Sequence, residues 1–261
     1  MLKKTVKVRA QEWHDALVPG GHRTMADIAT ERLHDAIITG RFPPGTPLRL
    51  IDISERLGMS SMPVREALRR LESIGLVTVL PHRGAYVLEM TLDDFEDTMA
   101  TRRLLECECV ERAARAFAGD RVEKCRVHLD RYVALMDAGL MVEARTAHRD
   151  FHYAIYEAAG SRWLLHAIDT VWKNSERYRF AAEPASSRDQ TIEEHTAILE
   201  ACAARDPVTA RQALADHLDR AATRMRANLL NRGWVTAELA KGAGATEAGT
   251  AEGAVGAEAA P

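Results

Sequence analysis

The chain has 261 residues, 46% of them hydrophobic and 28% charged, with a formal net charge of −3. This composition suits a globular protein with room for two domains, and no apolar run approaches the roughly 20 residues that cross a bilayer, so no membrane partner is expected. Cys107, Cys109, Cys125 and Cys202 lack the spacing of a disulfide framework and fit reduced thiols in the cytoplasm. The small net charge excludes no partner, because a global sum can hide a local basic surface.

Residues 1–23 read as an N-terminal extension. It starts with the basic "MLKKTVKVRAQEW", lacks the apolar segment of a signal peptide and ends in the turn-rich "VPGGH". From Thr24 the pattern is helical: Ile28, Ala29, Leu33, Ala36 and Ile37 share a face, and Gly40 stops the run. "RFPPGTPL" (41–48) is predicted as a loop, because its prolines and glycine forbid a helix. "LIDISERLGM" (50–59) gives a second short helix. Ser60 or Ser61 can cap a third, with Pro63 in its first turn and the stripe Val64, Ala67, Leu68, Leu71. The period then becomes that of strands at 76–80 and 85–89, joined by the turn "PHRG". Three helices and a β-hairpin make a winged helix-turn-helix, assigned to residues 24–90.

The remainder is helical, with stretches at about 92–117, 120–138, 141–159, 161–180, 188–204 and 207–231. Thr91 can cap the first of them, with Asp93 and Asp94 in its first turn, and Gly139, Gly160 and Pro207 punctuate the rest. Short links between amphipathic helices predict an all-α antiparallel bundle over 91–232, and the fold class is therefore mainly α. Trp163 and Trp172 are expected in its core, and Ser161 can cap the helix after it. Residues 233–261, Ala/Gly-rich with few large apolar groups, are expected to be a disordered tail.

Chemistry concentrates at two places. A helix-turn-helix lays its second helix in the major groove with the N-terminal residues toward the bases. Ser60, Ser61 and Met62 stand at that N-terminus, Arg65 and Arg69 follow four apart with Arg70 beside them, and Arg83 and Gly84 lie at the wing tip. Arg49 is a further phosphate candidate. The alternative is that these arginines pair with Glu66 and Glu72 on a solvated face. In the bundle, His148 and His152 share a helix face at i, i+4, while His195 and His217 sit on two later helices. A bundle can bring such imidazoles to one interior point, where they suit zinc, nickel or similar ions; surface or hydrogen-bonded histidines are the alternative.

"PGTPLRLIDISERLGMSSMPVREALRRLESIGLVTVLPHRGAYV" resembles the N-terminal winged helix of the GntR family of bacterial transcription regulators, above all in "PVREALRRLE" and "RGAYV". "TRRLLE" (101–106), "HRDFHYAIYEAAGSRWL" (148–164) and "EEHTAILEACAARDPVTARQALADH" (193–217) resemble the FCD effector domain of its FadR branch. Together the likeness spans about 24–232. It implies a homodimeric regulator, most often a repressor, that reads a palindromic double-stranded operator and answers to a small organic acid. It implies DNA contact by Arg65 and the positions before Pro63, although Ser61 and Ile51 stand where many members carry arginine. It implies metal ligands at His148, His152, His195 and His217, with histidine at 148 in place of the family aspartate. An all-nitrogen set favours zinc or nickel over manganese. Arg102 is implied to face the effector, the alternative being a pair with Glu106. A helical metalloenzyme with a DNA-binding head is the rival; against it, Asp150 and Glu194, the nearby acids, are expected off the histidine face. A direct metal sensor is a third possibility.

Overall fold

The computed structural model describes residues 23–81, 83–182 and 187–235. Helix α1 (Met25–Ile38) starts at a capping box: the Thr24 hydroxyl accepts the Asp27 amide, and the Asp27 carboxylate accepts the Thr24 amide. Its buried face is Ala29, Leu33, Ile37 and Ile38. After β1 (Pro47–Leu48) comes α2 (Leu50–Leu57), ended by Gly58 at φ 64°, a left-handed conformation that favours glycine. Helix α3 (Ser61–Ser73) has Ser60 at its cap position, where the side chain makes no capping bond. Its buried stripe is Val64, Ala67, Leu68 and Leu71, as the spacing predicts.

Strands β2 (Val77–Leu80) and β3 (Gly84–Val87) pair antiparallel, with Val77 opposite Val87 and Leu80 opposite Gly84. β1 pairs with the other edge of β3, Pro47 opposite Tyr86. The segment 41–48, predicted as a loop, thus ends in a strand. Proline is tolerated there because β1 lies at the sheet edge, where its missing N–H takes no ladder bond away. Leu33, Leu48, Ile53, Val64, Leu71, Leu76 and Val87 close one core under helices and sheet.

Among the described residues six helices follow: α4 (Leu92–Arg115), α5 (Gly119–Asp137), α6 (Met141–Tyr156), α7 (Arg162–Ala181), α8 (Arg188–Ala203) and α9 (Pro207–Asn231), with a 3-10 turn at Glu157–Ala159. The stops are those the sequence offers. Gly139 and Gly160 adopt positive φ between helices, Ser161 and Ser187 cap the next ones, and Asp206 caps α9 ahead of Pro207. Phe151, Ile155, Ile168, Trp172, Ile198, Leu214 and Leu218 share the bundle core with Cys109, Cys125 and Cys202. All four cysteines are free and buried; burial pushes Cys107 and Cys125 up to about 11 and Cys109 and Cys202 up to about 12, so they are inert thiols.

Trp172 is in that core, but Trp163 is 69% exposed. The two indoles sit about two and a half helical turns apart on α7, which sets them on opposite faces. Val235, within the predicted tail, packs against Phe95, Met225 and Leu229. Residues 236–261 of that tail, and residues 1–22 of the predicted extension, lie outside the described residues. No helix among the described residues is long and apolar enough to cross a membrane.

One helix ties the two halves together. The Asn174 amide on α7 donates to the carbonyls of Ile74 and Gly75 at 3.2 and 3.0 Å. Arg177 donates to the carbonyls of Leu88 and Glu89 and pairs with Asp94.

Candidate functional site

Arg49, Arg65, Arg69, Arg83 and Gly84 line one cleft between α3 and the wing, and all five are exposed. Ser60, Ser61 and Met62 are exposed at the α3 N-terminus, Met62 at 80%. Among the described residues Arg65 and Arg69 form no ion pair. Arg70 does, with Asp27 at 2.6 Å and Glu66 at 3.1 Å, and Glu72 instead accepts the Val79 amide. Pairing with acids therefore occupies Arg70 and leaves the other two guanidiniums facing the cleft. Gly84 adopts φ 90° with open space where a Cβ would sit, so backbone conformation rather than crowding requires glycine at this wing position.

The second cluster lies inside the bundle. α6 supplies His148 and His152, α8 His195 and α9 His217; all are buried, and one nitrogen from each lies within 4.8 Å of the others. Three of the rings are held by their Nδ1 atoms. His195 Nδ1 donates to the Thr191 carbonyl at 2.6 Å, His217 Nδ1 to Glu194 at 2.8 Å, and His152 Nδ1 lies 3.3 Å from Tyr156 Oη. Each then has Nε2 as its remaining nitrogen, and His195 Nε2 is buried with no partner. Burial drives His148 and His152 well below the ordinary histidine range, His195 to about 3 and His217 downward, so the rings are neutral, as metal ligands must be. Buried neutral imidazoles, anchored on one side and converging on the other, fit a divalent ion.

A cavity of about 240 Å³ opens beside His148, His195 and His217. Its other walls include Tyr132, Met136, Arg145, Arg179, Glu194 and Arg224. Burial alone would raise the Glu194 carboxyl, but hydrogen bonds from His217 and Arg224 outweigh it and bring it to about 2. Arg224 and Arg220 both reach Glu194 Oε1 at 3.0 Å. Arg179 has no such acid: among the described residues it makes no ion pair, and its Nη1 lies 2.7 Å from His148 Nδ1. Burial and the nearby Arg102 hold its guanidinium below the ordinary arginine value.

Residues 26–87 match the family described as bacterial regulatory proteins, gntR family, and residues 97–220 match the FCD domain. The HTH-type transcriptional regulator BphR of Paraburkholderia xenovorans (strain LB400) is 31% identical over 206 residues, covering 76% of this chain and 83% of BphR. The chain belongs to the GntR family. The HTH-type transcriptional repressor GlaR of Escherichia coli (strain K12) is 29% identical over 71% of this GntR regulator and 89% of GlaR. The crystal structure of a putative transcriptional regulator GntR from Rhodococcus sp. RHA1 superposes with a TM-score of 0.63 at 26% identity, covering 77% of this chain and 96% of that one. These relatives are transcriptional regulators and not enzymes, and a helix-turn-helix of this family implies DNA binding.

Two expectations about the GntR regulator's pocket are corrected by the geometry. Arg102 does not line the cavity. It is 1% exposed, and its Nε and Nη2 donate to Glu106 at 2.7 and 3.3 Å while its guanidinium stacks 4.4 Å from the Trp172 ring. The i, i+4 pair prevails because a buried guanidinium needs a buried carboxylate. Glu194 is not off the histidine face but bonded to one of them. Spacing along α8 could not reveal this, since His217 is on α9. Asp150 is partly buried and does not line the cavity. Arg179, Arg224 and Tyr132 were missed. Arg179 had a legible signal: it follows Trp172 by about two helical turns and so shares its inward face.

Proposed function

We propose that this GntR regulator binds a pseudo-palindromic operator as a homodimer, and that a small organic acid in the cavity between α5 and α9 releases it. One α3 per protomer enters a major groove, and two-fold symmetry of the dimer matches that of the site. Ser60, Ser61, Met62, Arg65 and Arg69 face bases and phosphates from α3, with Arg49, Arg83 and Gly84 flanking them. The histidine cluster holds a divalent ion, zinc or nickel for an all-nitrogen set. When bound, the ion supplies an electropositive coordination position for a carboxylate oxygen. Arg179 supplies forked N–H donors to the same carboxylate, in place of the Arg102 first expected.

The observation that carries this is the pairing of four converging buried imidazoles with a cavity whose Arg179 lacks a carboxylate among the described residues. A partly buried guanidinium without a carboxylate partner favours an anion. Release requires that the acid bind the DNA-free arrangement better than the bound one. Helix α7 can transmit that preference, since it carries Arg179 at the cavity and Asn174 and Arg177 at the winged helix.

The test is fluorescence anisotropy on a promoter fragment, titrated with a panel of short mono- and dicarboxylates, alongside elemental analysis of the purified protein. The expected result is a stoichiometric zinc or nickel ion and an acid that lowers DNA affinity by about 5–150-fold. Tight DNA binding with no ion and no response to any acid would remove the effector half of the proposal.

A further inference from the structure

A chain of hydrogen bonds crosses the histidine cluster, and its direction can be read from one end. Arg179 can only donate, so His148 Nδ1, 2.7 Å from Nη1, must accept; the same Nη1 lies farther, 3.4 Å, from Nε2. A neutral His148 then carries its proton on Nε2 and donates it to His152 Nε2 at 3.2 Å. His152 Nδ1–H points to Tyr156 Oη at 3.3 Å, and Tyr156 donates to Glu106 Oε2 at 2.6 Å. The wire ends on the carboxylate that Arg102 also holds. Each link has one donor and one acceptor, so the wire is fully satisfied.

This arrangement treats His148 differently from the other three. His152, His195 and His217 can each offer Nε2 with Nδ1–H anchored. His148 cannot: Arg179 takes one nitrogen and the proton occupies the other. A metal ligand needs a lone pair.

We propose that Arg179 is a positioning residue that fixes His148 in its Nε2–H tautomer, so that the ion is held by His152, His195 and His217 while His148 stays a hydrogen-bond donor. The proposal rests on the metal-centre reading above and refines it. Three imidazoles leave a fourth position open, the arrangement that accepts an outside ligand. His148 Nε2–H, freed from His152 when the ion takes that nitrogen, becomes a donor to whatever fills the open position. The histidine that replaces the family aspartate is thereby part of ligand recognition rather than of the coordination set.

Two measurements test it. In metal-free, histidine-labelled protein, long-range proton–nitrogen NMR should show His148 protonated on Nε2 with Nδ1 as acceptor, and Arg179→Met should abolish that fixed preference. A wild-type His148 protonated on Nδ1 would overturn the proposal whether or not any metal binds. Zinc competition with a chromophoric chelator is the second. His148→Ala should stay within about threefold of wild type, while His195→Ala and His217→Ala each lose about 100-fold or more, beyond the range typical for groups that only support a ligand. In the Arg179→Met background, where His148 can turn its lone pair inward, His148→Ala should now cost about tenfold, or roughly 1.4 kcal/mol. Equal losses for His148→Ala and His195→Ala in the otherwise wild-type protein would contradict it. If wild-type protein binds no zinc, the metal centre itself fails, and the NMR result still decides the tautomer.

Discussion

Removing the Arg102 guanidinium leaves the Glu106 carboxyl in the bundle interior with, among the described residues, Tyr156 alone to satisfy it. Arg102→Ala should therefore destabilise the protein by about 3–5 kcal/mol, as breaking buried pairs does, and urea unfolding would measure this. A loss below about 1 kcal/mol would show that water reaches the pair. The neutral histidines make a pH prediction. Their folded values lie below the ordinary 6.5, so below that pH the unfolded chain binds protons that the folded chain refuses. Stability should be full above about pH 6.5 and fall as pH drops, by up to about 1.4 kcal/mol per pH unit for each such ring. Melting temperatures of chelator-treated protein from pH 7.5 downward check the sign. On the winged helix, Arg65→Ala should cost about 1–3 kcal/mol of operator affinity with the fold intact, and Arg70→Ala less, since Asp27 and Glu66 already occupy Arg70. The histidines were legible because i, i+4 spacing and later inward positions fix a face. The place of Glu194 was not legible, because its partners His217, Arg220 and Arg224 lie on another helix, where single-helix spacing is silent; the inward face of Arg179 was legible from its spacing to Trp172, but its partner His148 was not.

At the scale of elements, α7 carries the coupling. Its inward face presents Trp172 to the core and Arg179 to the cavity, and Asn174 reaches the turn after α3 through the carbonyls of Ile74 and Gly75. Asn174→Ala should leave both DNA binding and acid binding measurable but shrink the effect of one on the other. Comparing acid affinity with and without a promoter fragment by calorimetry gives that coupling directly, and an unchanged ratio would assign it to another path. The helices themselves were legible within a few residues, since glycines, capping serines and Pro207 stop them. β1 was hidden: a strand of two residues beginning with proline has no period to detect, and only its pairing with β3 defines it.

For the whole molecule, the sequence separates an arginine-bearing winged helix from a histidine-bearing bundle but does not say how they meet. They meet through side-chain bonds to backbone carbonyls, at Ile74, Gly75, Leu88 and Glu89, which leave no residue-type signature. On the proposed reading, the pocket governs the DNA-binding surface. The most direct measurement is promoter affinity, with and without the releasing acid, for wild type and the His195→Ala/His217→Ala double variant. Both proteins should bind the fragment with similar affinity in the absence of acid, and acid should release wild type alone. Release of the double variant at the same acid concentration would contradict it.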